Sequence, residues 1–199
     1  MPDQYDSFAA LAARETEGEH FRIRVAARPS PIAIMAPHGG YIEPGTSEAA
    51  AAIARESFSF YCFESLTLRA KGDGLHITST RFDEPQALQL VAASEVVVGV
   101  HGRKNGMDGA SIWVGGLHEP LRDAICVELL NSGFRAKPVG DGHPLAGRHP
   151  DNICNRGRRG AGVQLEIPRA LRISFSQEEA IRDAFAVAVR AALIGHAAE

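Results

Sequence analysis

At 199 residues the chain is long enough to bury one core of its own without disulfide staples. Its 45% hydrophobic and 23% charged residues are those of a globular protein, and the net charge of -3 argues against a nucleic-acid binder, whose phosphate contacts need a basic excess. The three cysteines, Cys62, Cys126 and Cys154, form no C-x-x-C pair, which excludes a disulfide framework and points to a reducing cytosol.

The first twenty residues carry acids and no long apolar run, so they are not a secretory signal. Residues 1–19 read as a short helix within an acidic lead-in to one domain spanning 1–199. A strand follows at about His20 to Ala27, where Phe21, Ile23 and Val25 alternate with Arg22 and Arg24. Ile32 to Ala36 is a buried strand that delivers the chain to Pro37-His38-Gly39-Gly40. Thr46 suits the N-cap of a helix over Ser47 to Glu56, whose apolar run at Ala49 to Ala54 is far too short to span a bilayer.

Strands are expected near Ser59–Phe63 and Leu75–Ser79, and a helix over Glu84 to Ala93. Val96 to Val100 is a β-branched buried strand ending at His101-Gly102, and Ile112 to Val114 is a short one. Leu121, Ile125 and Leu129 have helical spacing within Glu119 to Ser132, which stops at Gly133. Phe134 to Val139 is a further strand. A loop rich in Gly, His, Arg and Asn then leads to a strand at Val163–Ile167, and Gln177 to Ala192 closes the chain as an amphipathic helix. Alternating helices and apolar strands predict an α/β fold with a mixed, mostly parallel central sheet flanked by helices.

Three apolar runs end in residues useful for chemistry: His38, His101 and Glu166. In open α/β sheets ligands collect at the carboxyl ends of strands, so the three ends suggest one site. Each residue alone is better explained as a polar group where a strand surfaces; the three together, with their surrounding glycines, favour a site. Imidazole and carboxylate are standard zinc ligands, and Gly39-Gly40 and Pro44-Gly45 let His38 and Glu43 face one centre. His101 would supply a third ligand, although His and Glu five apart in a loop also occur without metal. Glu166 suits a general base for a metal-bound water, against the alternative of a salt bridge to Arg169 or Arg172.

From Arg135 through Arg172 there are eight Lys/Arg against three acids, a local positive excess that implies an anionic ligand. Arg156, beside Asn152 and Asn155, is the preferred contact; Arg158 and Arg159 read equally well as a solvated basic face. His76, near Arg81, is placed at the cleft. Cys62 and Cys126 read as apolar packing, Cys154 as more exposed in its polar loop, His20, His118 and His196 as surface residues, and Trp113 as core.

The segment HGGYIEPGTSE (His38 to Glu48) is similar to the poly-γ-glutamate hydrolase family, phage and bacterial enzymes also labelled phage-related replication proteins. The similarity continues through LHITSTRFDEP (Leu75 to Pro85), VVVGVHG (Val96 to Gly102), VGGLHEPL (Val114 to Leu121) and NICNRGRRGAGVQLEIPRALR (Asn152 to Arg172). The resemblance implies a trimmed zinc-carboxypeptidase fold, one zinc on His38, Glu43 and His101, and Glu166 as the catalytic carboxylate. It also implies an Asn155-Arg156 pair holding a substrate carboxylate, and Arg169, Arg172, His76 and Arg81 join the expected substrate-binding set.

The expected function is therefore zinc-dependent hydrolysis of γ-glutamyl amide bonds, with poly-γ-glutamate as the anionic polymer. The competing readings are a zinc deacylase of a small N-acyl amino acid and, from another class, a non-catalytic anion- or DNA-associated protein. The protein is expected in the cytoplasm, off membranes and nucleic acid, as a monomer or small homo-oligomer; release by cell lysis would leave no mark in such a sequence.

Overall fold

A computed structural model of the chain describes residues 3–68, 74–106, 108 and 111–197. Among the described residues, seven strands form one sheet in the order β1-β3-β2-β4-β7-β5-β6. They are β1 (Phe21–Ala26), β2 (Ile32–Gly40), β3 (Ser59–Ser65), β4 (Val96–Arg103), β5 (Ile112–Gly116), β6 (Ala136–Pro138) and β7 (Val163–Pro168). β3, β2, β4 and β7 pair in parallel, while β1 and β5 add antiparallel partners to β3 and β7. The α/β class with a mixed, mostly parallel sheet is thus the observed one.

Strand period two divides the core. Ile32, Ile34, Val98, Val100, Leu165 and Ile167 point to one face. There they meet α2 (Thr46–Ala54), α4 (Glu119–Asn131), α5 (Arg169–Gln177) and α6 (Glu179–Ala197). Ala33, Met35, Tyr61, Phe63 and Val97 point to the other. That face carries α1 (Phe8–Ala12), α3 (Pro85–Ala93) and a 3-10 turn at Ile153–Arg156. With both faces covered, β2 is buried along nearly its whole length. Each fully buried large apolar side chain in these layers contributes about 1.5–3 kcal/mol.

The second face is covered unevenly. Over β1, β3 and β2 the aromatic rings close it, with Phe21 stacked on Phe63 at 5.3 Å and Phe8 edge-on to both. Over β7 and β5 it is covered by the loop 140–152, and a cleft remains there.

Several expectations are corrected. Leu75–Ser79 is no strand: its backbone is committed to side chains and a loop. Thr78 N–H donates to Asp3, Ile77 O pairs with His38, and Ser79 O accepts from Ile153 N–H. Buried Leu75 and Ile77 in that pinned loop produce the alternation that mimics a strand. Thr46 is not the N-cap of α2, since Gly45 holds that position and the Thr46 hydroxyl donates to Glu43 O at 2.8 Å. The closing helix is preceded by a separate α5. Cys154 and His118 are buried rather than exposed, and the His118 ring accepts from Leu121 N–H at the start of α4. Among the described residues no helix is long and apolar enough to cross a membrane.

Candidate active site

His38 and His101 lie inside β2 and β4, not beyond their ends. Pairing of β2 with β3 shifts register between Ala36 and Gly39, a bulge that re-aims the side chain carried there. The close approach demands glycine: Gly40 has φ 62°, and a Cβ on it would lie 2.2 Å from the Ser65 carbonyl. The chain then turns so that Glu43 N–H reaches His38 O at 2.9 Å.

The donor atoms converge. His38 Nδ1 is 3.1 Å from His101 Nδ1 and 3.5 Å from Glu43 Oε1, and His101 Nδ1 is 3.9 Å from Glu43 Oε2. His38 Nε2 sits 2.8 Å from Ile77 O, so it carries the proton and Nδ1 keeps its lone pair. Gly102 N–H fixes Glu43 by donating to Oε2 at 2.7 Å. His76 stacks on His38 at 4.1 Å and binds Asp3 Oδ1 through Nδ1 at 2.6 Å. His38, Glu43 and His76 also offer donors within 4.8 Å of one another.

Burial acts against charge on every one of these groups. It opposes the charged form of His38, but the Glu43 carboxylate beside it prevails and raises its pKa. Burial also opposes charge on Glu43, which His38 nevertheless holds below the usual carboxylate range. His101 is pushed down to about 3, by burial and then by His38.

The set fits a metal ion. Tetrahedral zinc at roughly 2.0–2.1 Å from nitrogen spaces its ligands about 3.3 Å apart, close to the observed separations. One buried proton shared by two imidazoles and a carboxylate is a poor substitute for a cation.

Glu166 stands in β7 in register with His101 of β4. Burial first, and the Glu43 charge next, push it up to about 8. Its other flank is Trp113 of β5, also in register. These three side chains share the face that bears the cleft, of about 1240 Å³, lined also by Asp3, His76, Arg103, His143 and Arg148.

Of the residues predicted from sequence, the structure brings His38, Glu43, His101, Glu166, His76 and Arg172 to this cleft. Arg172 is buried beneath it, donating to the carbonyls of Pro44, Ile167 (3.1 Å) and Arg103 (3.3 Å). Asn155, Arg156, Arg169 and Arg81 are not in its lining. Asn155 is buried with its amide spent on backbone groups, and Arg156 is exposed and donates to Phe82 O at 3.4 Å. Arg169 is exposed, and Arg81 pairs with Asp3 and Asp6. Part of the basic excess of this region is neutralised, Arg158 by Glu95, Arg148 by Glu119 and Asp141, and Lys137 by Asp108.

Sequence reasoning missed Asp3, Arg103 and Gln164, and set Trp113 in the core, whereas it lines the cleft. Arg103 and Gln164 carried a usable signal: each is two residues from His101 or Glu166 on a strand, hence on the same face. Asp3 carried none.

The fold and site define an α/β protein with a metal-competent histidine–carboxylate centre at the strand ends. The chain belongs to the poly-gamma-glutamate hydrolase family, whose model matches residues 5–187. The family is described as one of poly-gamma-glutamate hydrolases. A solved bacteriophage poly-gamma-glutamate hydrolase is similar over 99% of each chain, with a TM-score of 0.89 and 33% identity. UPF0714 protein YndL of Bacillus subtilis (strain 168) is 36% identical over 86% of this chain, and the match spans 66% of YndL, just under two thirds. A solved zinc-free YNDL-apo structure is 33% identical with a TM-score of 0.78, over 87% of this chain and 84% of that one.

Proposed function

We propose that the chain is a zinc-dependent hydrolase of γ-glutamyl amide bonds, with poly-γ-glutamate as substrate. One observation carries this reading: donors of His38, Glu43 and His101 meet within 3.1–3.9 Å, one strand from a buried Glu166 in register with His101. The zinc-free description of the YNDL-apo structure supports the choice of metal.

His38, Glu43 and His101 would hold the ion. When bound, it supplies a Lewis acid for the scissile carbonyl and lowers the pKa of a water to about 7. Glu166, kept dry and raised toward neutrality, takes a proton from water and delivers it to the leaving amine. Exposed Lys104 lines the cleft where the free carboxylates of a γ-linked chain would lie, beside Arg103 and Arg148, which are paired with Asp108 and with Glu119 and Asp141.

The test is metal analysis of the purified protein together with release of new amines from poly-γ-glutamate. About one zinc per chain and rising amine are expected. Glu166→Gln should keep the zinc and lose about 100- to 10,000-fold in kcat. Less than about half an equivalent of zinc, not restored by added metal, overturns the metal assignment. Turnover of N-acyl amino acids but not of the polymer would favour a deacylase.

A further inference from the structure

Glu166 is the end of a hydrogen-bonded chain of amides. Its Oε1 accepts from Gln164 Nε2 at 2.8 Å, and Gln164 Oε1 accepts from Asn152 Nδ2 at 2.8 Å. Asn152 Oδ1 accepts in turn from the backbone N–H of Cys154 at 3.2 Å. That last link sets the polarity of the rest, because a backbone N–H only donates. Asn152 must therefore turn its nitrogen to Gln164, and Gln164 its nitrogen to Glu166. The side chains of all three residues are buried.

The surroundings are shaped around this chain. Gln164 is in register with Gly99 of β4 and Gly115 of β5, so neither neighbouring strand places a side chain beside it. The loop takes that space: a Cβ on Gly115 would lie 2.2 Å from Ala146 O, and one on Gly147 would lie 2.8 Å from the Gln164 amide. Asn155 fastens the loop there. Its Nδ2 donates to Gly147 O (2.7 Å) and His149 O (2.9 Å), while its Oδ1 accepts from Leu117 N–H (3.2 Å) and Gly162 N–H (3.1 Å). Its full hydrogen-bonding capacity is used on the backbone.

We infer that Asn152 and Gln164 are positioning residues for Glu166. Their amides, anchored on Cys154 N–H and roofed by Gly147, keep Oε1 occupied as an acceptor. Oε2 is then the oxygen that takes the proton from water and returns it to the leaving amine, and neither amide gains or loses a proton. This rests on Glu166 being the base.

The test uses the full chain in three variants: Asn152→Asp, Gln164→Leu and the double substitution. Asn152→Asp turns an oxygen toward Gln164, whose amide must reverse and present its own oxygen to Glu166. Each single variant should lose about ten- to hundredfold in kcat, the range of one hydrogen bond to a charged group, with KM within about twofold. The acid limb of the kcat profile should move to higher pH, since the carboxylate loses an N–H donor. The double variant should match Gln164→Leu, because Asn152 acts only through Gln164.

A readout without turnover is the side-chain amide NMR signal of Asn152, which should shift in Glu166→Gln although Gln164 lies between them. It also serves if Asn152→Asp does not fold. Wild-type kcat and pH profile in folded Asn152→Asp, or an unmoved Asn152 signal, overturns the relay. If Glu166→Gln itself turns over at the wild-type rate, the base assignment fails and the relay with it. If Glu166→Gln is inactive while Asn152→Asp is wild type, the relay alone fails.

Discussion

The Nδ1 atoms of His38 and His101 face each other across 3.1 Å, although 63 residues separate them in the chain. Two neutral imidazoles set nitrogen to nitrogen can share only one proton. Burial, and then His38, keep His101 neutral, while the Glu43 carboxylate raises the pKa of His38 against its burial. A cation relieves the arrangement better than a proton does.

Zinc should therefore stabilise the protein measurably. At a hundredfold excess over Kd, a ligand specific to the folded state adds about 2.7 kcal/mol. In a chain of this size that is roughly 5–10 °C in melting temperature. Calorimetry of the metal-free protein with and without zinc should show the rise, and His101→Ala should lack most of it. An equal rise in both would remove His101 from the ligand set.

Glu166 should make the metal-free protein sensitive to alkali. Its pKa is raised from an ordinary 4.5 to about 8, by burial and then by Glu43. Above pH 4.5 the unfolded chain gives up this proton while the folded chain retains it. Its stabilising contribution is therefore complete at lower pH and is lost as pH rises through about 8. Glu166→Gln has no such dependence, so urea midpoints should favour the variant at pH 8 more than at pH 5.

Arg172 should not tolerate lysine. Its planar guanidinium reaches the carbonyls of Pro44, Ile167 and Arg103 at once, and an ammonium cannot take all three. Arg172→Lys should cost about 2–3 kcal/mol in urea unfolding, the scale of buried carbonyls left without donors. Because Pro44 follows Glu43, zinc affinity should fall as well. Unchanged stability would show that water replaces the guanidinium there.

Arg156→Ala should leave KM for poly-γ-glutamate within about twofold, since the residue is exposed and outside the cleft lining. A tenfold rise in KM would return Arg156 to the substrate site and imply a bound-state rearrangement of the loop.

The elements that proved legible were those governed by local rules. β2, β4 and β7 are runs of buried apolar residues, and α4 carries its apolar positions at helical spacing. His38, His101 and Glu166 follow such runs, so their common place near the carboxyl ends of neighbouring strands is legible in the sequence. The Leu75–Ser79 stretch misled because its alternation came from a loop pinned by Asp3 and His38, partners that no local pattern contains.

Sequence by itself thus determined the α/β class and the residue types capable of holding a metal at strand ends. Only the tertiary structure decided what the Asn152–Arg156 segment does. Its asparagines are turned inward to the backbone and to Gln164, while Arg156 is turned out to solvent. The physical reason is that a strand's period assigns side chains to faces from within the strand. The direction of a loop amide, by contrast, is set by donors and acceptors that the fold brings from elsewhere.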